Sequence, residues 1–190
     1  MRDQTAAFTG YRPHRFMFKG DEKHPDCLEL KRVLREQIEL LYERGVLRFL
    51  TGACIGVDTW AGEIVLDLMK QHKDIELHCI VPFEEQAIKW TEAQRDHYYN
   101  LLRDCTKIVQ LSVHYYEGCY RVRNQYLVAN SKYLLAVYDQ NSKMTGGTGQ
   151  TVHMALKNDN SIICIHPQTR AISTEIDFKK GDAKHILWKK

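Results

Sequence analysis

Residues Leu47-Arg48-Phe49-Leu50-Thr51-Gly52-Ala53-Cys54-Ile55-Gly56-Val57-Asp58 decide the reading of this chain. A short β-rich run, Leu47 to Thr51, stops at a glycine and gives way, from Gly56 to Gln71, to a helical pattern: a strand feeding a helix through a glycine loop. The same alternation repeats outward in both directions. β-rich runs at Thr5 to Thr9, Glu76 to Val81, Lys107 to Leu111, Tyr133 to Tyr138 and Ser161 to Ile165 are separated by helical patterns at Leu28 to Glu43, Glu85 to Arg103, Cys119 to Asn130 and Gln150 to Lys157. In the first of these, Leu30, Val33, Leu34, Ile38, Leu41 and Tyr42 fall at i, i+3, i+4 steps, and Gly45 follows as a stop signal. Strand–helix–strand repetition implies parallel strands joined by right-handed crossovers, with helices on both faces. The expected fold is therefore a Rossmann-like three-layer α/β/α arrangement with a mainly parallel sheet. One domain spans 1–167, and a polar tail, 168–190, is docked or partly disordered.

Composition bounds the function. A chain of 190 residues fits one domain, because chains split only past roughly 250. With 44% hydrophobic and 27% charged residues it is neither disordered nor fibrous. The charge of +3 carries no basic run beyond Lys179-Lys180 and Lys189-Lys190, so it neither demands nor forbids nucleic acid. Apolar runs such as Leu134 to Val137 are far short of the roughly 18 residues that cross a bilayer. No signal peptide is readable in Met1 to Thr9, which gives a cytoplasmic expectation with no membrane partner. Six cysteines without a CxxC pair read as free thiols, and neither they nor His72, His78, His97 and His114 have metal-ligand spacing, so no metal site is expected.

In such sheets ligands bind beyond the carboxyl ends of the strands, so the informative residues are those that follow strands. Thr9-Gly10-Tyr11-Arg12-Pro13-His14-Arg15 combines a glycine with two arginines and a histidine that suit an anion; the alternative is a loop whose Arg12 pairs with a surface carboxylate. Thr51 to Asp58 places Gly52 and Gly56 four apart before a helix, where backbone N–H groups and the helix dipole favour phosphate. It is neither GxGxxG nor a Walker loop, and the alternative is a tight turn with Asp58 as dipole partner. Met144 to Thr151 carries Gly146, Gly147, Gly149, Thr145, Thr148 and Thr151 ahead of a helix, the composition of an anion nest or of a flexible linker. On Tyr120-Arg121-Val122-Arg123-Asn124 only one arginine can face a pocket, and Arg123, which shares a face with Leu127 and Asn130, is preferred. Glu84 and Glu85 end the third strand, where an acid reaches a ribose hydroxyl or starts a helix. Trp90, Tyr98 and Tyr99 read as core or lid packing on one helical face.

Thr51 to Asp58 followed by Ala61 resembles the SG-x-A-x-G-ID loop of the DNA-processing DprA proteins. Arg123-Asn124 through Ala129 and Ser131 is similar to their RN-x-II-A-x-x-S helix, and Gly147, Thr151 and Ala155 to their SG-x-x-x-TA-x-x-A segment. Through the two glycine loops and Arg123 the chain also resembles the LOG nucleotide hydrolases. Both belong to the SLOG superfamily, and the segments at Pro82 to Glu84, Trp90, Arg123 to Val128 and Gly146 to Val152 are most similar to its YpsA/YoqJ-type branch of bacteria and their mobile elements. The resemblance implies a nucleotide or nucleotide-derived ligand, held by a sensor or accessory protein that requires no cofactor. Thr9, Gly10, Arg12, Thr51, Gly52, Gly56, Asp58, Arg123, Asn124, Gly146, Gly147, Thr148 and Thr151 are the binding candidates, with Glu84 toward ribose. LOG hydrolases carry PGG-x-GT-x-x-E; here Thr145 stands at the proline, Gln150 at the threonine and His153 at the glutamate. Two alternatives stay open: N-glycosidic hydrolysis of a nucleotide with His153 or Asp58 as acid/base, and binding of single-stranded DNA. The DprA-type helix has glycine where Asn130 stands, nothing in the chain matches an added DNA-binding domain, and homo-oligomerisation is undecided.

Overall fold

The computed structural model describes residues 2–140 and 146–174. Its centre is a seven-stranded sheet of β1 (Thr5–Gly10), β2 (Arg48–Thr51), β3 (Glu76–Val81), β4 (Lys107–Gln110), β5 (Tyr133–Val137), β6 (Ser161–Ile165) and β7 (Ile172–Ser173), in the order β4-β3-β2-β1-β5-β6-β7. All neighbours are parallel except β6 and β7. The central strands are buried on both faces, as a parallel sheet under two helical layers requires: Ala6, Ala7 and Phe8 of β1 and Leu134 to Val137 of β5 are fully covered. The helices are α1 (Pro25–Glu43), α2 (Val57–Leu68), α3 (Glu92–Asp104), α4 (Cys119–Ala129) and α5 (Gly147–Lys157). α2 lies between α1 and α3, whereas α4 packs on α5. Right-handed crossovers place these two groups on opposite faces. The expected three-layer, mainly parallel α/β fold is the fold found.

Local departures from the sequence reading have local causes. Helix α1 begins at Pro25 rather than Leu28, because proline suits a first helical position and the His24 ring caps the Asp26 N–H at 3.1 Å. Helix α3 begins at Glu92 rather than Glu85. Residues 84–90 form successive turns, and Thr91 and Gln94 then close a capping box that starts the helix. Trp90 therefore precedes the helix, yet its ring still meets that of buried Tyr98 edge to face at 5.4 Å. Tyr99 is exposed. Helix α5 begins three residues early, so Gly147, Thr148 and Gly149 form its first turn instead of a loop.

Strand β7 has no counterpart in the sequence reading: two residues are too short to show a period. It runs antiparallel to β6, and Arg170 beside it donates to the Asp26 carboxylate at 2.8 Å. The remainder of the tail, 175–190, lies outside the described residues. Among the described residues no helix is long and apolar enough to cross a membrane, and no cluster of three or more His, Cys, Asp and Glu could hold a metal ion.

Candidate functional site

Strand β1 feeds β2 on one side while β5, its other neighbour, feeds β6, so chain connections diverge between β1 and β5. A crevice is expected at the carboxyl ends of strands at such a point. A cleft of about 310 Å³ lies there. Its walls are the end of β1 and the loop after it, Cys54 and Ile55 after β2, the inner face of α4, and the start of α5.

The glycines expected to cradle phosphate divide into two groups. A Cβ on Gly10 would meet the Val57 side chain at 2.5 Å, because α2 starts against the end of β1. Gly56 has φ +96°, and its Cβ would stand 2.7 Å from the Tyr11 carbonyl oxygen. At Gly52 a Cβ would fall on the guanidinium of Arg123. Packing accounts for these three, and neither Gly52 nor Gly56 lines the cleft. Gly147 is different. It is exposed, it lines the cleft, its φ is ordinary for a helix, and a Cβ there meets nothing within 4 Å. The fold does not require that glycine.

Arg123 and Asp58 meet under the cleft as a buried ion pair. Nη1 of Arg123 lies 3.2 Å from Oδ2 of Asp58, with the two side chains only 7% and 10% exposed. Nη2 of Arg123 points at Cys54 Sγ, 3.4 Å away. Nε of Arg123 is buried without a hydrogen-bond partner, a costly condition for a charged donor. Burial pushes the Asp58 carboxyl above its ordinary pKa, and Arg123 offsets this only in part. Arg121, two residues away, is exposed. The loop between β2 and α2 is pinned beside the pair. The Thr51 hydroxyl donates to the Asp58 carbonyl at 2.7 Å and accepts from the Ala53 N–H at 3.1 Å, which holds Ala53 at φ 49°.

Two threonine hydroxyls expected to face phosphate are already engaged. Thr148 donates to the Gly10 carbonyl at 2.9 Å and ties α5 to the end of β1; Thr151, fully buried, donates to the Gly147 carbonyl at 2.8 Å. What the start of α5 brings to the cleft is therefore mainly backbone, at Gly146, Gly147 and Thr148, and Gly146 offers no side chain to cap the first turn. Nη1 of Arg15 stands 3.4 Å from the point a Gly146 Cβ would occupy, and its guanidinium carbon is 4.1 Å from the centroid of the Tyr11 ring. Arg12 and His14 complete the rim. Arg12 stands over the Tyr120 ring at 5.9 Å. Among the described lining residues Asp58 is the one carboxylate, against Arg12, Arg15 and Arg123.

Of the other candidates, Thr9 and Asn124 line the cleft. Glu84 is exposed, and it, Thr51, Thr151 and His153 are not among the lining residues. Thr145 lies outside the described residues. Tyr120 was missed as a site residue, although the helical step from 120 to 123, 124 and 127 puts it on the face of Arg123, Asn124 and Leu127, all of which line the cleft.

A mainly parallel sheet with a cleft at the divergence of its central strands defines a Rossmann-like α/β protein. Residues 6–170 match the model of the YspA SLOG family, and the chain belongs to that family. It is 35% identical over 134 residues to the UPF0398 protein BH1768 of Halalkalibacterium halodurans, covering 70% of each chain. A UPF0398 protein of Bacillus thuringiensis (strain Al Hakam) is 31% identical over 137 residues, covering 70% of this chain and 73% of that one. Among solved structures, DNA processing protein A from Helicobacter pylori, described as binding single-stranded DNA, superposes with a TM-score of 0.55 at 16% identity. That match covers 84% of this chain and 64% of the other, so this chain spans less than two thirds of that protein and the likeness is one of fold.

Proposed function

We propose that the cleft binds a nucleotide or nucleotide-derived ligand through its phosphate and that the protein acts as a sensor or accessory factor. One observation carries the reading. The first turn of α5, which starts at Gly146 with no side-chain cap from that residue, borders a cleft shared with Arg12, Arg15 and Arg123, next to a glycine, Gly147, that the fold does not need. A helix start carries about half a positive charge, and phosphate at such an end accepts from backbone N–H groups. Hydrolysis is not proposed: His153 does not line the cleft, and Asp58 is committed to Arg123.

Native mass spectrometry of the purified protein, followed by calorimetric titration with nucleoside mono- and diphosphates, tests this. A co-purifying or titrated nucleotide whose binding is lost in Gly147→Val supports the reading. The absence of any nucleotide binding overturns it. The structural likeness to a single-stranded-DNA-binding protein favours a second reading, in which the cleft is part of a DNA path. Salt separates the two, because a strand that neutralises many phosphates loses affinity steeply between low and moderate salt.

A further inference from the structure

We infer that Tyr120 is a platform for a nucleobase, which makes the ligand of the cleft a nucleotide rather than a bare phosphate or a sugar phosphate. This inference rests on the anion reading above. Tyr120 stands in the first turn of α4 and lines the same cleft as Gly147 and Arg15. Its ring is braced from outside the cleft. Phe83, a buried residue that does not line the cleft, meets Tyr120 edge to face at 5.8 Å and 79°, and Tyr115 meets Phe83 in turn at 5.4 Å and 80°. A ring packed at right angles against a buried aromatic keeps one orientation, and aromatic rings pack well in such T-shaped pairs. Over one face of the ring stands the guanidinium carbon of Arg12, 5.9 Å from the centroid.

That spacing is informative. A flat ring sandwiched between the two needs roughly 3.5 Å of contact on each side, so Arg12 has to yield by about 1 Å or swing aside. Arg12 is exposed, and a cation over an exposed ring is weakly held. A base would thus replace the contact that Arg12 makes with Tyr120, while its phosphate lies toward α5 and Arg15. Arginine stacks on planar rings as readily as on tyrosine, so Arg12 can close over the inserted base.

The test is titration of the full chain with four probes: adenosine monophosphate, uridine monophosphate, ribose 5-phosphate and inorganic phosphate. In the unaltered protein the better-bound monophosphate should exceed ribose 5-phosphate by about tenfold to a hundredfold, the range base stacking supplies. Tyr120→Leu should collapse that ratio and leave ribose 5-phosphate unchanged, while Tyr120→Phe should keep it. Equal affinity for ribose 5-phosphate and both monophosphates in the unaltered protein overturns the base platform while the anion site stands, and needs no variant to fold. A ratio that survives Tyr120→Leu also overturns it. If none of the four probes binds, the anion reading falls and the platform falls with it.

Discussion

Arg123 and Gly52 share one volume: the guanidinium of Arg123 lies where a side chain on residue 52 would begin, and Oδ2 of Asp58 is 2.6 Å from the same point. A residue on α4 and another on α2 thus close their ion pair over a bare backbone position after β2. Gly52→Ala should therefore break a buried pair rather than block a ligand. The expected loss is about 3–5 kcal/mol, the cost of leaving one buried charge without its partner. Urea denaturation measures it, and a loss under about 1 kcal/mol would show that the pair moves aside freely.

Gly147→Ala should do the reverse. The position is helical and a Cβ meets nothing there, so reduced freedom of the unfolded chain should leave stability unchanged or raise it by up to about 1 kcal/mol. A methyl over the first N–H groups of α5 should still cost about tenfold in nucleotide affinity by keeping phosphate from close approach. Thermal melts and titration of one preparation separate the two effects. Unaltered affinity would remove α5 from the site.

These two glycines show what the sequence made legible. Among the described residues, alternation of periods located six of the seven strands and the five α-helices, because buried parallel strands and amphipathic helices leave strong patterns. The pattern cannot say why a glycine is present. Gly52, Gly56 and Gly147 look alike in a loop reading, yet the first makes room for Arg123, the second takes a left-handed φ and the third leaves open space. The partner that distinguishes Gly52 is 71 residues away, as 123 minus 52, and no local signal reaches that far. Tyr120 was hidden for another reason: its neighbours Arg121 and Arg123 are the charged residues of the segment, while its own role depends on packing at right angles against Phe83, 37 residues away, as 120 minus 83.

Arg123→Lys should weaken nucleotide binding by about tenfold or more, and Arg121→Lys should not. Lysine keeps the charge but lacks the fork that spans Asp58 and Cys54. Arg121 is exposed. Parallel titrations decide it, and equal effects would place the anion away from α4.

The Asp58 carboxyl, raised by burial above its ordinary pKa of 3.8, gives a pH dependence with a definite sign. The folded chain holds this proton more tightly than the unfolded chain. The contribution of Asp58 to stability is therefore fully present in acid and is lost as pH rises from about 3.8 through the folded value. Compared with Asp58→Asn, in which that proton is gone, the unaltered protein should lose relative stability as pH increases across this window. Denaturant midpoints for both proteins from pH 3 to about 8 would show the trend. A relative stability that rises with pH would mean that the attraction of Arg123 outweighs burial.

The protein should not release free base from nucleoside monophosphates at an enzyme-like rate. Cleavage of an N-glycosidic bond needs an acid to protonate the departing base or a base to activate water, and such groups supply roughly 10²–10⁴-fold. His153 occupies the position where hydrolases of this superfamily carry a carboxylate, but it does not line the cleft. Asp58 does line it, yet one of its carboxyl oxygens is engaged by Arg123 at 3.2 Å and its side chain is only 10% exposed. A reacting group must also stand within hydrogen-bond reach of the scissile bond, and a base stacked on Tyr120 has no carboxylic acid beside it among the described lining residues except Asp58. Chromatography after long incubation of each monophosphate should therefore find no free base above a protein-free control. Release that disappears in His153→Ala would promote the hydrolase reading, and release that disappears in Asp58→Asn while nucleotide still binds would make Asp58 the acid.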